Sequence, residues 1–202
     1  MSDESADNPD RRRNAYRDDI ADVALRGVVS ASRYVTPARA RVAASVVPLR
    51  RRPAHEAPRD TEAMFGEPVG VFDTADGWAW VQLESDGYVG YLEASALDAR
   101  EGPVVPEPTH RVCSRSAVVY AKAAATSEPL DVLPMNATVA VVGEDGAFGA
   151  LASGGYVGRQ HLVTWGEYAS DFVTVAEGFL GVPYIYGGKS YRGIDCSGLV
   201  QV

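Results

Sequence analysis

Lysine is almost missing from this 202-residue chain, which holds 19 Lys and Arg against 27 Asp and Glu for a formal net charge of -8. Phosphate binding needs a basic face, so the deficit excludes a general nucleic-acid binder. Cysteine is limited to Cys113 and Cys196, which are far apart and too few for a disulfide framework. No apolar run approaches the roughly 18 residues of a membrane helix, and no membrane span is expected. The N-terminus, Met1-Ser2-Asp3-Glu4-Ser5, is polar, and no apolar stretch follows Arg11-Arg12-Arg13. No secretory signal is visible, so a cytoplasmic location is the expectation, with export by another route left open. There is no metal-ligand set, and no cofactor is expected. Oligomeric state is not readable.

What is present is glycine and proline, 20 and 12 residues, which favours turns and short strands over long helices. Charge is uneven. Residues 1–60 hold 12 Arg against 9 acidic residues, whereas residues 61–202 hold 7 basic and 18 acidic ones. Arg11–Arg13 and Arg50–Arg52 could meet an anionic polymer, but solvated arms of this kind are common.

Residues 1–41 read as a disordered or irregular arm, with a short helix at 20–25 and a strand at 27–34. Residues 42–100 form a first β unit. Its Asp76-Gly77 and Asp86-Gly87 pairs precede Trp78–Leu83 and Tyr88–Leu92, the signature of antiparallel hairpins. Trp78, Trp80 and Gln82 alternate with Ala79, Val81 and Leu83, so the strand uses its two faces differently. Three prolines mark a linker at 101–108. A second unit, 109–164, repeats the order of turns and strands, and Gly155-Tyr156-Val157-Gly158 echoes Gly87-Tyr88-Val89-Gly90. Both units resemble bacterial SH3-like domains, in which such a strand follows a turn. The resemblance implies two small closed barrels that help to hold a peptide.

Residues 168–202 change texture. Phe172, Val175, Ala176 and Phe179 have helical spacing, with Asp171 as cap and Gly181 as stop. Asp195 can cap a second helix beginning at Cys196. A cysteine in the first turn of a helix meets unpaired amides and the positive end of the dipole, which favour thiolate. Taken alone, such a cysteine is more often structural.

Leu180-Gly181-Val182-Pro183-Tyr184-Ile185-Tyr186-Gly187-Gly188-Lys189-Ser190 and Gly193-Ile194-Asp195-Cys196-Ser197-Gly198-Leu199-Val200-Gln201 together resemble the catalytic segment of the NlpC-like cell-wall cysteine peptidases. Tyr186 and Lys189 stand for the commoner Trp and Arg. The resemblance implies a mainly-β chain, two barrels followed by the start of an α+β papain-like domain. It also implies an enzyme acting on peptidoglycan stem peptides (muropeptides), at a γ-D-glutamyl–diamino acid bond. Cys196 would be the nucleophile and Tyr184 would stand near the oxyanion. Asp195 would recognise the substrate amino end or simply cap the helix, and Ser197 would position substrate or simply start the helix. The family needs a histidine base after the cysteine, but His55, His110 and His161 all precede it. A C-terminally truncated, inactive chain is therefore expected. The alternative is a non-catalytic module binding wall peptides or a protein, with Trp78, Trp80, Tyr88 and Tyr91 lining a groove or packing as core.

Overall fold

The computed structural model describes residues 9–98 and 106–202. The disorder expected for residues 1–8 and the linker expected at 101–105 lie outside the described residues.

The rest of the arm departs from its expected irregularity. Strand β1 (Ile20–Asp22) pairs in parallel with β2 (Arg33–Val35), and a 3-10 turn, Val23–Leu25, stands where part of a helix was expected. The strand expected over 27–34 is confined to β2. The cause is non-local packing. Ala15 and Ile20 cluster with Phe72, Trp80 and Val89 of the first β unit. The Arg17 guanidinium lies 4.5 Å from the centre of the Trp80 ring, donates to Asp73 at 2.6 Å and to the Tyr91 hydroxyl at 3.1 Å. A charged segment thus orders because its arginine finds a carboxylate and an aromatic face more than fifty residues away.

The first unit comprises β3 (Ala38–Val42), β4 (Val46–Arg50), β5 (Arg59–Met64), β6 (Pro68–Ala75), β7 (Trp78–Leu83), β8 (Val89–Glu93) and β9 (Leu97–Asp98). It therefore begins before residue 42. The seven strands form one sheet in the order β5-β4-β8-β7-β6-β3-β9. Asp76 and Gly77 both take positive φ, 51° and 80°, the requirement of a two-residue hairpin turn whose twist matches its strands. Ala79, Val81 and Leu83 enter the core with Val42, Leu49, Val69 and Leu92. Trp80 faces the other way, yet it is only 4% exposed because the arm covers it. A bulge between Val71 and Asp73 makes Phe72 the extra residue of β6, and its ring lies 5.3 Å from Trp80.

The second unit comprises β10 (His110–Val112), β11 (Ser116–Tyr120), β12 (Pro129–Pro134), β13 (Thr138–Val139), β14 (Val141–Asp145), β15 (Phe148–Leu151), β16 (Tyr156–Gly158) and β17 (Leu162–Thr164). Its orders, β12-β11-β16-β15-β14 and β13-β10-β17, repeat the first unit with the counterpart of β6 broken into β13 and β14. The G-Y-V-G echo falls on the corresponding strands β8 and β16. Among the described residues neither unit closes into the expected barrel; β5 and β9 are the edges of the first sheet.

The units meet closely. The Thr138 amide donates to the Phe65 carbonyl at 2.9 Å, and Phe65 packs against the second core. A methyl group built on Gly66 would sit 2.1 Å from the Thr138 carbonyl oxygen, so only glycine fits this joint. No helix among the described residues is long and apolar enough to cross a membrane.

Candidate active site

After the second unit the chain forms two short helices, α1 (Phe172–Glu177) and α2 (Cys196–Gln201), with a small hairpin between them, β18 (Lys189–Ser190) and β19 (Gly193–Ile194). The Asp171 side chain caps α1, accepting from the Val173 amide at 2.9 Å. The helix is shorter than its apolar spacing implied, and tighter i to i+3 bonds carry the chain on to Val182. Only part of the apolar face is used. Phe179 is buried with Met135 and Ile194, whereas Phe172 is 83% exposed.

Gly181, with φ 83°, turns the chain into Pro183 and Tyr184. Tyr184 bridges in parallel to Ile194, and the Ile194 amide donates to the Pro183 carbonyl at 3.0 Å. The structure thus lays the backbone of Tyr184 beside the segment leading to Cys196. The Tyr184 side chain is 69% exposed.

Asp195 is 6% exposed and organises the start of α2. One carboxylate oxygen accepts from the Gly198 amide and the Ser197 hydroxyl, each at 2.7 Å. The other accepts from the Gly187 amide at 2.7 Å. Burial pushes the carboxyl up, but the Gly198 amide, the Ser197 hydroxyl and the Gly187 amide pull it down further, so it titrates below the usual aspartate range. The Asp195 amide in turn donates to the Gly188 carbonyl at 3.0 Å. A methyl group on Gly198 would fall 2.1 Å from that same carbonyl oxygen. The glycines of the G-G-K-S and D-C-S-G strings are there because two backbones touch. Cys196 is the first residue of α2 and is exposed, as is Ser197.

Asp195, Cys196 and Ser197 are therefore consecutive at the start of α2, and the backbone of Tyr184 runs beside Ile194, two residues before Cys196. The histidines are engaged in the β units. His161 Nδ1 lies 3.0 Å from the Ser114 hydroxyl, His110 Nδ1 lies 2.8 Å from Thr109 Oγ1, and His55 packs on Trp78 and lies 3.5 Å from Glu93. Of the aromatics considered for a groove, Trp80 is buried under the arm, and the Tyr91 hydroxyl accepts from Arg17.

Sequence reasoning missed how the first unit grips this segment. Glu62, on β5, accepts from the Lys189 amide at 3.0 Å. Lys189 Nζ donates to Asp86 at 3.1 Å, and Arg192 donates to the Ser45 hydroxyl at 3.2 Å. The Tyr191 hydroxyl donates to the Val132 carbonyl of the second unit at 3.2 Å. The local signal for this was slight, an acid at position 62 in a strand whose neighbours are buried.

Residues 49–97 match the bacterial dipeptidyl-peptidase Sh3 domain family. The fold overlays a crystal structure of an NlpC/P60 family protein from Bacillus cereus with a TM-score of 0.66, at 20% identity, over 80% of this chain and 70% of that one. The chain is also 26% identical over 164 residues, 70% of its length, to the gamma-D-glutamyl-L-lysine dipeptidyl-peptidase of Bacillus cereus. The chain is thus similar to an NlpC/P60 family protein in fold, and its first β unit matches a bacterial SH3 domain. The chain spans 48% of the length of that peptidase.

Proposed function

We propose that the chain is part of a cysteine endopeptidase that hydrolyses peptidoglycan stem peptides at a γ-D-glutamyl–diamino acid bond. The observation that carries the reading is an exposed Cys196 opening a helix whose cap, Asp195, is buried and held by three donors. The similarity in sequence to a gamma-D-glutamyl-L-lysine dipeptidyl-peptidase supports the substrate class. Here the Cys196 sulfur attacks the scissile carbonyl, the C–N bond breaks and the amine leaves carrying the thiol proton, and water then hydrolyses the thioester to the acid and the free thiol. Amides at the start of α2 and the Tyr184 hydroxyl stabilise the oxyanion. Ser197 orients the substrate. Asp195 primarily holds the loop and helix in register and is the candidate to recognise a substrate amino group. The two β units act as SH3-like walls of the peptide groove. All three histidines serve the β units, and none of them is proposed as the general base.

The test incubates the chain, and the product of its full reading frame, with a stem tetrapeptide and follows release of the dipeptide. Cleavage is expected from the full product and is abolished by Cys196→Ala. Activity that survives this substitution removes Cys196 as nucleophile. Muropeptide binding without turnover by the full product would instead favour a binding module.

A further inference from the structure

The joint between the first β unit and the Cys196 segment runs through a buried acid that neither the capping of α2 nor the chemistry above employs. Glu62 sits on β5, the edge strand of the seven-stranded sheet, with its side chain 4% exposed. One oxygen accepts from Arg59 at 2.6 Å and the other from the Lys189 amide at 3.0 Å. Residues 62 and 189 are thus joined across 127 positions of sequence. An edge strand normally leaves backbone groups open, and this side chain engages a loop at that edge.

The loop it holds is the one that holds Asp195. Gly187 donates to Asp195, Gly188 accepts from the Asp195 amide, and Lys189 donates to Glu62. Of three consecutive residues, two are therefore pinned to the cap of α2 and the third to the β unit. The neighbouring Lys189 ammonium, 7% exposed, is neutralised by Asp86 and approaches Glu67 at 4.0 Å, so the junction is largely buried and charge-paired. A buried amide leaves little freedom, because losing its acceptor strands the donor away from water.

We propose that Glu62 is a positioning residue for Cys196: through the Lys189 amide and Asp195, the SH3 unit sets the place of the nucleophile. The inference rests on Cys196 being that nucleophile. It assigns Glu62 a role by reach, since its carboxylate extends far enough to meet Lys189. Its charge serves Arg59.

Reach and charge separate cleanly. Glu62→Gln keeps the length and an acceptor but loses the charge. Glu62→Asp keeps the charge but withdraws the acceptor by one methylene. Both variants are made in the 202-residue chain for amide exchange and in the full product for kinetics. In Glu62→Asp, exchange of the Lys189 amide is expected to rise at least tenfold, and kcat on the stem tetrapeptide to fall by about 10- to 100-fold with KM unchanged, because a displacement near 1 Å at a reacting group costs rate on that scale. Glu62→Gln is expected to stay within about threefold of wild type in both measurements. The reverse order, or equal effects of the two variants, overturns the proposal, since a purely electrostatic or structural role predicts one or the other. The exchange measurement reads the positioning even if Cys196→Ala proves active, so failure here and failure of the peptidase reading are distinguishable.

Discussion

Replacing Asp195 by alanine tests the side chain that joins the Gly187 loop to the start of α2. Alanine leaves the Gly198 amide without its cap, which costs about 1 kcal/mol. It also strands the Gly187 amide, which in the wild type donates to a buried carboxylate at 2.7 Å. Losing a charge-assisted bond of that kind costs about 2 kcal/mol. The local destabilisation is then about 3 kcal/mol, or about 150-fold in opening equilibrium. Amide hydrogen exchange at Gly187 and Gly198, followed by NMR at neutral pH, should show that acceleration. Protection within the two β-unit cores should change little.

The pH dependence has a definite sign. The folded carboxyl titrates below its unfolded value, so its contribution is complete above that unfolded value, about 3.9. The contribution is lost as pH falls through the lowered folded value. Wild type and Asp195→Ala should therefore exchange alike only in strong acid. Identical exchange at neutral pH would refute the claim that Asp195 holds the loop and the helix together.

Two further outcomes are expected. Gly198→Ala should destabilise the segment by about 1–3 kcal/mol, because its methyl group collides with the Gly188 carbonyl; thermal denaturation and stem-peptide turnover in the full product would both register it. Arg17→Ala should free the arm by removing the Trp80 and Asp73 contacts, speeding trypsin cleavage after Arg11, Arg12 and Arg13 about tenfold, for a loss of about 1–2 kcal/mol.

Much of the β architecture was legible because its determinants are local. Asp76 and Gly77 supply the positive φ angles of their turn, and Ala79, Val81 and Leu83 announce one buried face. The D-C-S-G string likewise announced a capped helix start, since cap and helix are adjacent in sequence. The second face of β7 was not legible. Trp80 owes its burial to Arg17 and Ile20, and nothing near position 80 tells of them. The same holds for Glu62 and Lys189. A glutamate in a strand and a lysine in a glycine loop look solvated until the fold sets them in one buried junction. The breadth of the apolar face of α1 was overread, because spacing alone does not reveal that Phe179 and Val175 find Met135 and Ile194 while Phe172 stays exposed.

The glycine at position 66 has a practical consequence for anyone who would rearrange these parts. Its bare α-carbon abuts the backbone of Thr138, and the hairpin that carries Lys189, Tyr191 and Arg192 touches both β units. Neither unit is a cassette. A chimera that exchanges one of them for a foreign counterpart must carry across the matching seam, including position 66 and the edge strand with Glu62, or it will present the Cys196 segment on a frame cut for another molecule.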